Sequence, residues 1–160
     1  MYSVVDDQGN PVLEKASSDP PVSTKCFVQI LQNKLLSDRL SSVGGELLLS
    51  HKLSIVIKGR NLCPAIRSLP VKVRDRKGGI IATYEVFFTS KRHDAIDRRW
   101  SAIKWLNGHI LHVEKYVLSA HLLPQFEMFG VIPLEWIVTE PIVSAIKKAG
   151  CTDAFSRRFR

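Results

Sequence analysis

Pro70-Val71-Lys72-Val73-Arg74-Asp75-Arg76-Lys77-Gly78-Gly79-Ile80-Ile81-Ala82-Thr83-Tyr84-Glu85-Val86-Phe87-Phe88 reads as two strands around a tight turn. Gly78 and Gly79 offer the positive φ angles that a short hairpin connection needs. In the second run Tyr84, Val86 and Phe88 alternate with Thr83, Glu85 and Phe87, the period of a half-buried strand. A hairpin pairs its own two strands antiparallel.

Towards the C-terminus, residues 109–118 give a further strand, with Ile110, His112, Glu114, Tyr116 and Leu118 on one side and Leu111, Val113, Lys115 and Val117 on the other. Residues 136–138 give the last strand before a helix. Thr139 is the expected N-cap of that helix, and Pro141 sits in its first turn, where a missing N–H costs nothing. Ile142, Ala145, Ile146 and Ala149 form its apolar stripe. Lys147 and Lys148 suit its C-terminus, and Gly150 is the expected residue just past its end.

Towards the N-terminus, residues 46–59 fit two patterns. Leu53, Ile55 and Ile57 alternate as in a strand, whereas Leu49, Lys52, Leu53 and Val56 line one face of a short helix with Ser50 as N-cap. The helix is preferred, with Gly59 as its stop. Residues 35–40 suggest a helical turn, residues 2–5 and 26–31 strands, 6–11 a turn and 17–24 a loop. Nothing repeats. The expected fold is a single α+β domain over 1–160, mainly antiparallel sheet with few helices, one of them near the C-terminus.

The bulk properties agree. At 160 residues with 45% hydrophobic and 24% charged, the chain has enough apolar material for a core, so wholesale disorder is not expected. No apolar run approaches the roughly 18 residues that span a bilayer. Met1-Tyr2-Ser3-Val4-Val5-Asp6-Asp7 lacks the basic-then-apolar order of a secretory signal, so the expected location is the cytoplasm. Cys26, Cys63 and Cys151 are widely spaced and odd in number, as reduced thiols would be. The net charge is +8, but residues 1–24 carry −3, leaving +11 on the remainder. A body this basic suits an acidic partner as well as it suits simple solubility.

The dense polar segment is His93-Asp94-Ala95-Ile96-Asp97-Arg98-Arg99-Trp100-Ser101. A His–Asp pair can serve as general base and orienter, but no serine or cysteine elbow accompanies it. The competing reading is a loop whose carboxylates pair with Arg92, Arg98 or Arg99 or cap a turn. His109 and His112, three apart on a strand, point to opposite faces and make a poor metal pair. Lys58-Gly59-Arg60 and Lys77-Gly78-Gly79 are basic turns, not a phosphate loop. Arg98, Arg99, Trp100 and Trp105 suit a partner-binding anchor, protein or nucleic acid. They suit equally a core of tryptophans with a rim of arginines. No cofactor, metal or catalytic residue is expected.

Three segments in fixed order resemble a known family. They are the Leu69-Pro70-Val71-Lys72-Val73 strand with its Gly78-Gly79 hairpin, the segment at 93–101, and Phe126-Glu127-Met128-Phe129 followed by Trp136-Ile137-Val138-Thr139-Glu140, the helix and Gly150-Cys151-Thr152-Asp153-Ala154-Phe155. The second resembles a "hydrophobic-D-x-hydrophobic-D-x-x-x-S" pattern, with Asp94, Asp97 and Ser101 in place and His93 where an apolar residue is common. Together they look like the immunity proteins of bacterial polymorphic toxin systems, a group formerly described only as an uncharacterised domain. The likeness covers about residues 46–160 and leaves 1–45 aside. It implies an inhibitor that binds a cognate toxin domain, with Asp94, Asp97, Ser101 and Gly150 as structural positions. The positive charge adds that the partner presents an acidic contact surface. A basic nucleic-acid-binding accessory protein is the alternative.

Overall fold

The computed structural model describes residues 4–5, 26–29, 37–41, 46–75, 77–132 and 135–152. The turn expected at 6–11 and the loop at 17–24 lie outside them, as do Leu35 and Leu36 of the expected helical turn.

The main sheet has six strands in the order β1-β2-β5-β6-β4-β3. These are β1 (Val4–Val5), β2 (Cys26–Gln29), β3 (Arg39–Ser41), β4 (Leu47–Ser50), β5 (Ile66–Arg74) and β6 (Ile80–Thr89). All pairs are antiparallel except β2 with β5. Leu40 therefore belongs to an edge strand rather than to a helical turn. The β5–β6 hairpin is the centre of the sheet. Of the two glycines in its turn Gly78 has a positive φ, of 83°. Gly79 does not take the positive φ expected of it, and the Asp75 carboxylate closes the turn by accepting the backbone N–H groups of Lys77 at 2.9 Å and Gly79 at 2.8 Å.

β4 runs directly into helix α1 (His51–Lys58). Ser50 is its N-cap, and its hydroxyl oxygen accepts the Leu53 N–H at 3.2 Å. The helical reading of 46–59 thus holds from residue 51, with a four-residue strand before it. Asp38 locks this corner. It accepts the Ser50 hydroxyl at 2.5 Å and the Thr152 N–H at 2.8 Å, tying the start of α1 to the chain beyond the C-terminal helix.

A second sheet, β11-β10-β7, is built from β7 (Arg92–His93), β10 (Met128–Val131) and β11 (Glu135–Val138). Helix α2 (Glu140–Lys148) follows. Thr139 occupies the N-cap position in extended conformation, but its side chain makes no capping bond. The other end follows the expectation. Gly150 has φ 62°, its N–H reaches the Lys147 carbonyl at 3.0 Å, and the Cys151 N–H reaches Ile146 at 3.2 Å, the paired bonds of a Schellman stop.

Two cores result. One lies between α1, α2 and the two sheets and contains Leu47, Leu49, Leu53, Ile57, Phe87, Met128, Trp136, Ile142 and Ile146. The other lies across the small sheet and contains Cys63, Ala95, Phe129, Val131 and Ile137. In the main sheet Tyr84, Glu85, Val86 and Phe87 are all buried. Over residues 84–87 β6 is thus covered on both faces, not half-buried as its alternation implied.

Glu85 shows how the helix-covered face tolerates a carboxylate. It is 8% exposed, the Ser54 hydroxyl donates to Oε1 at 3.0 Å, and Lys58 pairs with the other oxygen. Burial by itself raises its pKa, but hydrogen bonds from Lys58 and Ser54 and the Lys58 charge outweigh this and hold it below the ordinary 4.5. Asp38 is held below 3.8 in the same way: burial raises it, and Ser50, Thr152 and Lys52 more than compensate. A carboxylate whose folded pKa is depressed stabilises the fold above its unfolded pKa and loses that contribution as pH falls through the folded value. Urea midpoints are therefore expected to drop between about pH 5 and pH 3. Glu85→Gln should make that decline shallower, and an unchanged slope in the variant would remove Glu85 from the account.

Candidate functional site

A turn at 94–101 leaves β7 and enters a separate two-stranded ribbon. The ribbon consists of β8 (Ala102–Leu106) and β9 (His109–Lys115), joined at Asn107-Gly108. Both turn residues have positive φ, 49° and 78°, the conformation for which Asn-Gly is the best-suited pair. β9 ends at Lys115, and Leu118 forms only an isolated bridge with Ile96.

The alternation of side chains decides how the turn sits. Ala95 and Ile96 are buried, Ala95 in the second core, while Asp94, Arg98, Arg99 and Trp100 face solvent. Asp97 fixes the backbone. Its N–H donates to the Val117 carbonyl at 2.8 Å, its carbonyl accepts the Ser101 N–H at 2.9 Å, and its Oδ1 accepts the Arg99 N–H at 3.0 Å. Ser101 completes the lock: its hydroxyl donates to the Val117 carbonyl at 3.1 Å and accepts the Val117 N–H at 2.9 Å. Asp94 forms an ion pair with Arg98. Gly150 lies elsewhere, at the stop of α2.

On this frame two arginines stack on two tryptophans. The Arg98 guanidinium carbon is 5.7 Å from the Trp105 ring centre, and that of Arg99 is 5.4 Å from Trp100. Trp100 is 61% exposed and Trp105 48%. The reading of these two tryptophans as core is therefore wrong; the core tryptophan is Trp136, at 7%. Surface position follows from the anchors beside them, since Ala95 and Ile96 take the inward places in the turn.

The possible His93–Asp94 dyad is not assembled. His93 turns inward, its Nε2 3.9 Å from the buried Cys63 sulfur and its ring edge-on to Phe129 at 5.7 Å. Burial, and then the charge of Lys91, lower its pKa and favour the neutral ring. The Asp94 and Asp97 carboxylates are committed to Arg98 and to the turn. Among the described residues no three His, Cys, Asp or Glu side chains converge as a metal site requires.

A shallow, open groove of about 430 Å³ runs beside the turn, lined by Asp94, Ile96, Asp97, Arg98, Ser119, His121 and Leu122. The Ser119 hydroxyl is 2.9 Å from His121 Nε2. Neither residue was legible as part of a site: they are two apart around a short 3₁₀ turn, a spacing with no motif. The ribbon did carry a signal, Asn107-Gly108 between apolar runs. The exposed arginines and tryptophans give the turn an amphipathic, cationic face beside this groove.

No protein-family model matches this chain, and neither does any curated protein sequence. Among the described residues no helix is long and apolar enough to cross a membrane.

Proposed function

We propose that this protein is an immunity protein, which binds a cognate bacterial toxin domain, blocks it, and performs no chemistry of its own. The observation that carries the reading is the pair of arginine–tryptophan stacks held outside the core on a turn fixed by Asp97 and Ser101. Arginine and tryptophan dominate the energetics of protein interfaces, and a turn already in its bound shape has less order to lose on binding. The likeness of residues 46–160 to the immunity family supports the same partner class. The +11 carried beyond residue 24 favours an acidic contact surface on it.

The same stacks suit single-stranded nucleic acid, so a nucleic-acid-binding accessory protein is the second reading. One experiment separates the two. The probe is the C-terminal domain encoded by the upstream neighbouring reading frame, with stopped-flow binding measured at low and high salt. The expected result is a 1:1 complex whose association slows with salt while its dissociation changes little. Arg98→Glu/Arg99→Glu should slow association at unchanged Tm. Oligonucleotide binding at micromolar Kd or tighter in about 150 mM salt, lost on that double change, would establish the second reading instead.

A further inference from the structure

The geometry points to the β8–β9 ribbon as the part that enters the partner, its occupied site being an apolar cleft rimmed by carboxylates on a folded toxin domain. This rests on the immunity reading and deepens it.

Among the described residues β8 and β9 pair only with each other, so the ribbon is an arm and not an edge of either sheet. An isolated two-stranded ribbon is only marginally stable in water. This one is held at its base by the Ser101–Val117 bonds and by Val113, which is 1% exposed. Around its turn it leaves large apolar side chains in solvent: Trp105, Leu106 at 55% and Leu111 at 61%. Exposed apolar groups gathered on one element mark a contact surface.

Charge selects the occupant. From Arg98 to Lys115 the chain carries Arg98, Arg99, Lys104 and Lys115 against Glu114, a net of +3 with the histidines neutral. A second copy would bring two such segments together, and like charges across a contact oppose it. Nucleic acid is a poorer match as well. Two of the four cations are already paired, Arg98 with Asp94 and Lys104 with Glu114 at 2.6 Å. Leu106 and Leu111, the other large apolar side chains exposed beside Trp105, offer no ring for a base to stack on. An apolar cleft desolvates Trp105, Leu106 and Leu111, and a carboxylate rim meets Arg99 and Lys115.

The test uses the full chain and the same neighbouring-frame domain as probe. Trp105→Ser/Leu106→Ser changes two exposed positions, and Ile80→Ser/Ile81→Ser, two exposed isoleucines on β6, is the control. The expected result is a Kd about 30-fold or more weaker for the ribbon variant, and no change for the control. Amide hydrogen exchange in the wild-type complex should show new protection confined to residues 98–115. That readout decides the matter even if the ribbon variant melts early. If the wild type binds and the ribbon variant binds equally well, with no protection on the ribbon, the inference fails and the immunity reading stands. If the wild type does not bind the domain, both fail. Sedimentation showing a dimer that the ribbon variant abolishes would assign the arm to a second copy. Retention of poly-dT at physiological salt, lost in the same variant, would assign it to nucleic acid. Either result overturns the proposal.

Discussion

Trp136→Ala is expected to lower the stability of the fold by about 4 kcal/mol, whereas Trp100→Ala and Trp105→Ala each lower it by less than about 1 kcal/mol. The three residues are the same chemically and differ only in where the chain puts them. Trp136 is 7% exposed, packs in the core with Met128, Ile142 and Ile146, and has the Arg92 guanidinium 5.6 Å from its ring centre. Removing its ring opens a cavity where both sheets and α2 meet, and the lost contacts add to the lost burial. Trp100 and Trp105 have about half of their surface in water already, and each has an arginine over its ring. Urea titrations of the three variants test the ranking. A loss at Trp100 or Trp105 as large as that at Trp136 would mean that the Arg–Trp stacks hold the fold together, and would withdraw them as a contact surface.

The strands and caps that depend on local chemistry were readable. Ser50 as N-cap, Gly78 in its turn and Gly150 past the end of α2 each act on backbone within a few residues, so local sequence context carries those roles. The α+β class with mainly antiparallel sheet follows from them and from the β5–β6 hairpin. Tertiary context supplied what they lacked. Glu85 looks like the solvent side of a half-buried strand until α1 places Ser54 and Lys58 over it. Leu40 joins a strand because Leu48 pairs with it, a partner that no local pattern names.

The candidate site was legible in its residues but not in its arrangement. Asp97 and Ser101 stand four apart, yet both act through Val117, and only that distant segment turns Arg98, Arg99 and Trp100 outward. Trp105 could be placed neither in nor out of the core without knowing that, among the described residues, its strand pairs with nothing but β9. The Asn107-Gly108 pair announces that ribbon more plainly than any other dipeptide in the chain. It was obscured because the pairing slips twice, between Ala102 and Ile103 and between Lys104 and Trp105, which breaks the period-two pattern of a regular strand.

Gly130→Val is expected to destabilise the protein by about 3 kcal/mol, the upper end for an overpacked core position. Gly130 lies in the middle strand of the small sheet, opposite Trp136 on one side and Arg92 on the other. A Cβ there would stand 2.8 Å from Thr89 Cγ2, 3.3 Å from an Arg92 guanidinium nitrogen and 3.4 Å from Arg92 Cγ. The arginine can swing away, but the threonine methyl cannot: it branches at Cβ near the end of β6, and its hydroxyl is held at 2.9 Å by the Lys91 carbonyl. The empty position at 130 is thus what lets Arg92 lie over the Trp136 ring and donate to the Glu135 carbonyl at 3.2 Å. The glycine has an aromatic residue directly across the strand pair, an arrangement in which the ring covers the backbone that the glycine leaves bare. Thr89→Ser removes the obstructing methyl and keeps the hydroxyl. The double variant Gly130→Ala/Thr89→Ser should therefore be more stable than the sum of its single changes predicts, by a coupling of about 1 kcal/mol in a double-mutant cycle. Additive losses would show that Thr89 is not what Gly130 makes room for. A stability of Gly130→Val within error of wild type would show that the two sheets are less tightly joined at this point than the Thr89 contact requires.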